Sequence, residues 1–214
     1  MVIGFEDCGC PDAVRERRQE QRYREEEERE VKERPARNAG IPPRYRSIKR
    51  RPHRNYIEAV QEGRSVIVHG SVGTGKTHFA CGLALAMVER GYSVRFTTST
   101  DYLRAVKASY DRHESEQSAM YPYLNAQVLV LDDLGQEKVT DWALEKLFDL
   151  VNYRYNHLLP MVVTIQTEPS KLCAHFEQTG DTRKAEALVS RMQENAIFHE
   201  MTGGDRRLGQ NDHA

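Results

Sequence analysis

Cysteine, tryptophan and long apolar runs are all scarce in this chain, whose 214 residues include 4 Cys and 1 Trp. Cys8, Cys10, Cys81 and Cys173 do not make a disulfide framework. Cys8 and Cys10 lack the two-residue spacing of the usual half of a zinc site, and no nearby partners complete four ligands. Free thiols in a reducing compartment are the consistent reading. No apolar run approaches the ~18 residues of a membrane span. The opening MVIGFEDCGC also lacks the basic-then-apolar order of a signal peptide. A cytoplasmic protein with no membrane partner is therefore expected. Net charge is scarce as well, with a formal value of -1, but that sum hides strong segregation.

What is present is charge in blocks. From Arg15 to Arg34 nearly every residue is charged, with both signs interleaved. Acids stand four residues before bases at Glu20 and Arg24, Glu25 and Arg29, Glu28 and Lys32, Glu30 and Arg34. That order supports an isolated helix by about a few tenths of a kcal/mol per pair. Without an apolar heptad, a coiled coil is not supported. Residues 1–38 are expected to form a charged extension able to bind a partner, either a weakly packed helix ending at Pro35 or disorder that turns helical on binding. From Arg44 to Arg54 the chain carries Arg44, Arg46, Lys49, Arg50, Arg51 and Arg54 with no acid between them. Two readings of this run are open, a face for phosphates and a solvated basic linker. AGIPPRYR (39–46) reads as a proline-stiffened linker, with a globular domain over residues 39–214.

Within that domain strands alternate with helices. Residues 55–63 suggest a short helix closing at Gly63, and strands are expected at 65–70, 93–98, 126–133, 160–167 and 196–201. Helices are expected at 77–90, 100–110, 141–158, 168–178 and 183–193, the third capped by Thr140. The stretch 111–125 is polar and reads as irregular in part. AQVLVLDD (126–133) is almost wholly apolar until its end, as a central parallel strand would be. The pattern predicts a doubly wound α/β domain. Trp142 and Phe148 share a helical stripe with leucines and read as core rather than as a base-stacking platform. Tyr121 and Tyr123 fit base stacking or turn packing, and His69 fits packing at a strand end.

GSVGTGKT (70–77) follows a strand and opens a helix, as the G-x4-G-K-[ST] phosphate loop requires. Gly70, Gly73 and Gly75 let the loop curl, so that the backbone N–H groups from Ser71, Val72 and Thr74 onward can turn toward phosphate oxygens at the helix's positive end. Lys76 is placed to reach the β- and γ-phosphates, and Thr77 to ligate Mg2+. VLVLDDLG (128–135) supplies an acid for Mg2+ at Asp132 and, at Asp133, one that the pleat turns differently and that could activate the attacking water. In VVTIQT (162–167), Gln166 or Thr164 could position that water; a simple exposed strand end is the alternative.

The succession of GIPPRY, GSVGTGKTHFA, VLVLDDLG, a Trp-bearing helix, SRMQEN and GGDRR resembles the AAA+ ATPases of the DnaC and DnaI helicase-loader group and their transposition relative IstB. The likeness runs over about residues 39–209. It implies a parallel five-stranded P-loop sheet, flanked by helices and ordered 5-1-4-3-2, binding ATP and Mg2+. It also implies homo-oligomers in which one subunit's arginine reaches its neighbour's ATP, contact with single-stranded DNA, and delivery of a ring-shaped replicative helicase. By the resemblance the first sensor falls on Gln166, the arginine finger on Arg191, and a last arginine motif on Arg206 and Arg207, with Arg206 near nucleotide. The chain departs from the group in having Gln rather than Asn at the sensor, a short N-terminal region, and too little chain after the fifth strand for a helical lid. The expected function is ATP hydrolysis that places or remodels a helicase. The alternatives are an IstB-like helper to a transposase and an ATP-gated DNA-binding adaptor with little hydrolysis.

Overall fold

The computed structural model describes residues 11–205. These divide between Pro35 and Ala36 into two compact units. The first is the leading part of helix α1 (Pro11–Asn38). Its described side chains face solvent, Tyr23 with 72% of its surface exposed, and Gln21 donates to Glu25 one turn on at 3.0 Å. The expected stop at Pro35 is not observed, because α1 continues to Asn38. Its end is set instead by a left-handed Gly40, with Gly40 N–H donating to Arg37 O at 2.9 Å and Ile41 N–H to Ala36 O at 3.1 Å. Ala36, Ala39 and Ile41 are buried, and that burial outweighs the hydrogen bond missing at Pro35.

The second unit is a five-stranded sheet between two layers. In chain order it holds α2 (Pro43–Arg46), α3 (Arg54–Gln61), β1 (Val66–His69), α4 (Lys76–Val88), β2 (Val94–Thr98), α5 (Ser99–Asp111) and α6 (Glu116–Asn125). There follow β3 (Val128–Leu134), α7 (Asp141–Asn156), β4 (Met161–Ile165), α8 (Pro169–Phe176), α9 (Thr182–Gln193) and β5 (Ile197–Glu200). All pairings are parallel and the order is β2-β3-β4-β1-β5, the expected order read from the other edge. Successive side chains of a strand serve opposite layers. Ile67, Leu129, Leu131, Val163 and Ile165 pack on α5 to α9, whereas Val66, Val68, Val128, Val130 and Val162 pack on α4. Burial on both faces explains why these strands do not alternate in hydropathy.

Helix α4 is buried all round from Ala80 to Met87. Its outer side is covered by Ala36, Ile41, Ile48, Ile57 and Val60. The reading of 39–46 as a linker is thereby corrected. Ile41 has no exposed surface, and Ala39 O accepts from Phe96 N–H of edge strand β2 at 2.7 Å. The stretch expected to be partly irregular contains α6, capped by Ser115, whose Oγ accepts from Ser118 N–H at 3.1 Å. Thr140 caps α7 as expected, accepting from Ala143 N–H at 3.1 Å.

Candidate nucleotide-binding site

The ordering of the sheet puts the ends of β1 and β3 on either side of β4, so the loop after β1, the acids of β3 and the polar end of β4 share one edge. Gly70, Gly73 and Gly75 all have left-handed backbones, with φ of 141°, 81° and 100°. Gly70 also cannot carry a side chain, since a β-carbon there would fall 2.1 Å from Met201 O on the chain leaving β5. Thr74, fully buried, donates to Ser71 O at 2.9 Å and closes the turn. Lys76 folds back over the loop, its Nζ donating to Gly70 O at 2.8 Å and Ser71 O at 2.7 Å. Helix α4 opens with no side-chain cap and no acid in its first turn. Such an end presents unpaired N–H groups and a positive potential suited to an anion.

Asp132 is 2% exposed and faces two hydroxyls. Thr77 Oγ1 donates to its Oδ2 at 2.9 Å and Thr164 Oγ1 to its Oδ1 at 2.6 Å. Burial raises the Asp132 pKa above the usual carboxylate range and the Asp133 charge adds to this, while the two hydroxyls and Lys76 oppose it. The Thr77 and Asp132 oxygens are hard donors of the kind Mg2+ takes alongside phosphate oxygens. Among the described residues no three His, Cys, Asp or Glu side chains converge as a self-sufficient metal site. A cation here would therefore complete its coordination with phosphate and water.

Asp133 is turned by more than the pleat. Its φ is +55°, left-handed for a residue with a β-carbon, at a cost of roughly 1–2 kcal/mol. Between Leu131 and Leu134 strand β3 advances three residues while β4 advances two from Val163 to Ile165. This bulge turns Asp133 onto the cavity while the preceding Asp132 stays buried against Thr77 and Thr164. Asp133 N–H donates to Thr164 Oγ1 at 2.8 Å, and Gln166 Nε2 donates to Asp133 Oδ1 at 3.4 Å. Of the two candidates, Thr164 on β4 thus braces both acids and Gln166, just after β4, stands at the Asp133 carboxylate.

A cavity of about 650 Å³ joins Val72, Gly73, Gly75, Lys76 and Thr77 to Asp133 and Gln166. On its other wall stands Arg44, from the basic run read as a possible face for phosphates, with Tyr45, Ile48 and His78, which sequence reasoning did not single out. Three of the six bases of that run are engaged by hydrogen bonds within the fold. Arg46 Nε donates to Ile41 O at 2.8 Å, Arg51 Nε to Glu89 at 3.2 Å and Arg54 Nε to Glu58 at 2.6 Å. Ser99 and Glu137, which brace the loop after β3, were also missed. Arg191 is not brought to this cavity. Its guanidinium lies over the Phe148 ring at 4.9 Å, with Nη1 buried and lacking a hydrogen-bond partner among the described residues. Arg206 and Arg207 lie outside the described residues. Trp142 and Phe148 pack against the core, Tyr123 is buried and Tyr121 is 63% exposed.

A parallel sheet of this order, a glycine loop opening α4 and an acid pair across β4 define a P-loop nucleoside-triphosphate-binding domain of AAA+ type. The family model for IstB-like ATP binding protein matches residues 45–214, and the chain belongs to that family. The replicative helicase loader DnaI of Bacillus subtilis is 25% identical over 138 residues, 64% of this chain and 44% of its own. A putative ATP-binding protein of an insertion sequence in Mycobacterium tuberculosis is 31% identical over 131 residues, 61% of this chain and 50% of its own. The chain thus spans about half the length of these curated relatives. The crystal structure of the DnaC helicase loader aligns with a TM-score of 0.58 at 28% identity, covering 70% of this chain and 85% of that one. The replication initiator DnaA bound to AMPPCP and single-stranded DNA shares the fold, with a TM-score of 0.57 at 22% identity over 77% of this chain and 51% of its own.

Proposed function

We propose that this chain hydrolyses ATP and uses the cycle to place or remodel a ring-shaped replicative helicase on single-stranded DNA. The observation that carries the reading is the hydroxyl–carboxylate pair of Thr77 and Asp132, 2.9 Å apart, with Thr77 lining one cavity together with Lys76 and the carboxylate of Asp133. In this reading the backbone N–H groups from Gly70 to Thr77 cradle the phosphates, and Lys76 exchanges its carbonyl partners for the β- and γ-phosphates. Thr77 and Asp132 hold Mg2+, which when bound neutralises charge on the phosphate oxygens. Asp133 takes the proton of the attacking water, and Gln166 orients that water through its amide. Arg191 serves the ATP of a neighbouring subunit and Arg206 approaches nucleotide, in a homo-oligomer formed on ATP or DNA binding. The charged extension, residues 1–38, meets the protein partner in the cytoplasm.

A second reading, a helper that hands DNA to a transposase, is favoured by the 31% identity to an insertion-sequence protein. Co-purification from the native host separates the two. A ring helicase in the eluate supports loading, whereas a transposase without helicase overturns it in favour of the second reading. Phosphate release that stays negligible with and without single-stranded DNA, despite tight ATP binding, would leave an ATP-gated adaptor instead.

A further inference from the structure

The left-handed Asp133 lines the nucleotide cavity, but the groups that hold its backbone do not. Thr164 on β4 accepts its N–H. From the start of α5, beside the Thr98–Asp132 pairing of β2 and β3, Ser99 Oγ reaches Asp133 O at 3.1 Å. The same Oγ lies 2.5 Å from Glu137 Oε2, and Glu137 accepts the N–H of Gly135 at 3.0 Å. Gln136 N–H closes the turn by donating to Asp133 O at 3.2 Å. Glu137 has a side chain only 2% exposed, and among the described residues the one basic group within 4.0 Å is His175, with Nε2 at that distance from Oε1. A buried carboxyl group is costly unless its oxygens are hydrogen-bonded. Glu137 accepts the Gly135 N–H directly, and the one hydrogen of the Ser99 hydroxyl is shared between Glu137 Oε2 and Asp133 O, so Ser99 and Glu137 together meet the short turn from Asp133 to Gly135.

We propose that Ser99 and Glu137 are positioning residues for hydrolysis, holding the Asp133–Gly135 turn so that the Asp133 carboxylate stays on the phosphate cavity. The proposal rests on the ATPase reading above. A strained backbone persists only where its surroundings over-determine it. With the clamp removed, Asp133 relaxes toward an ordinary φ and its carboxylate leaves the position next to Gln166. Nucleotide affinity is set elsewhere, by the loop from Gly70 to Thr77 and by Asp132. The clamp should therefore act on turnover and leave binding alone, which a merely structural role would not do.

The test uses the full chain with Ser99→Ala and Glu137→Gln, following phosphate release from Mg-ATP, affinity for a fluorescent ATP analogue, melting temperature and amide exchange. We expect kcat to fall by about tenfold or more in each variant while analogue affinity stays within about twofold. In Ser99→Ala the Asp133 and Gln136 amides should exchange faster. Unchanged kcat, or a kcat lost only in step with affinity and melting temperature, overturns the proposal. If the wild-type chain binds the analogue yet releases no phosphate, the ATPase reading fails by itself. The amide exchange then decides: faster exchange in Ser99→Ala supports the clamp and unchanged exchange overturns it.

Discussion

Asp132 carries opposing demands within one side chain. Burial favours its neutral form, and a bound cation needs the charged one. Because its pKa in the folded, nucleotide-free protein is raised, its contribution to stability is fully present below the ordinary carboxylate range and is lost as pH rises through the raised value. Asp132→Asn removes that loss. Nucleotide-free Asp132→Asn should melt higher than wild type at neutral pH, with the gap closing on acidification, while Mg2+-dependent ATP binding is lost. Melting curves across pH, with and without Mg-ATP, check both halves. At this scale the glycines, Lys76, Thr77 and the acid pair were legible because their meaning is local, fixed by spacing and by a strand on one side and a helix on the other. The left-handed Asp133 was not legible, since nothing in the residue Asp announces a positive φ. Ser99 and Glu137 were hidden for a different reason: 38 positions separate them, and only the pairing of β2 with β3 brings them together.

At the scale of elements, one arginine fastens two junctions. Arg154 on α7 is fully buried and donates to Tyr123 O, Ala126 O and Pro160 O at 2.9, 2.8 and 2.8 Å. It thereby ties the end of α6 and the entry to β3 to the entry of β4. Burial pulls its pKa down to about 9, which still leaves it charged at neutral pH. Arg154→Leu strands those carbonyls, and equilibrium unfolding should show a loss of about 3–5 kcal/mol. Strand and helix types were readable from period and from caps such as Thr140. The end of α1 was misread because a proline is a local signal and the burial of Ala36, Ala39 and Ile41 is not. The same blindness turned 39–46 into a linker, although it covers α4 and supplies the far wall of the cavity.

At the scale of the whole molecule, Arg191 stands over Phe148 and does not line the cavity of its own phosphate loop, and the proposed function assigns it to a neighbour's ATP. Lys76→Ala and Arg191→Ala subunits should each be inactive alone. Mixed in equal amounts they should recover up to about one quarter of wild-type turnover, the share of interfaces that pair an intact loop with an intact arginine. No recovery would count against an arginine acting across subunits. The central claim, hydrolysis at this cavity, is tested most directly by steady-state phosphate release from Mg-ATP by the wild-type chain and by Asp133→Asn. Measurable turnover is expected in the wild type and a fall of about a hundredfold in the variant, with ATP affinity retained. Equal turnover in the two proteins would contradict that claim.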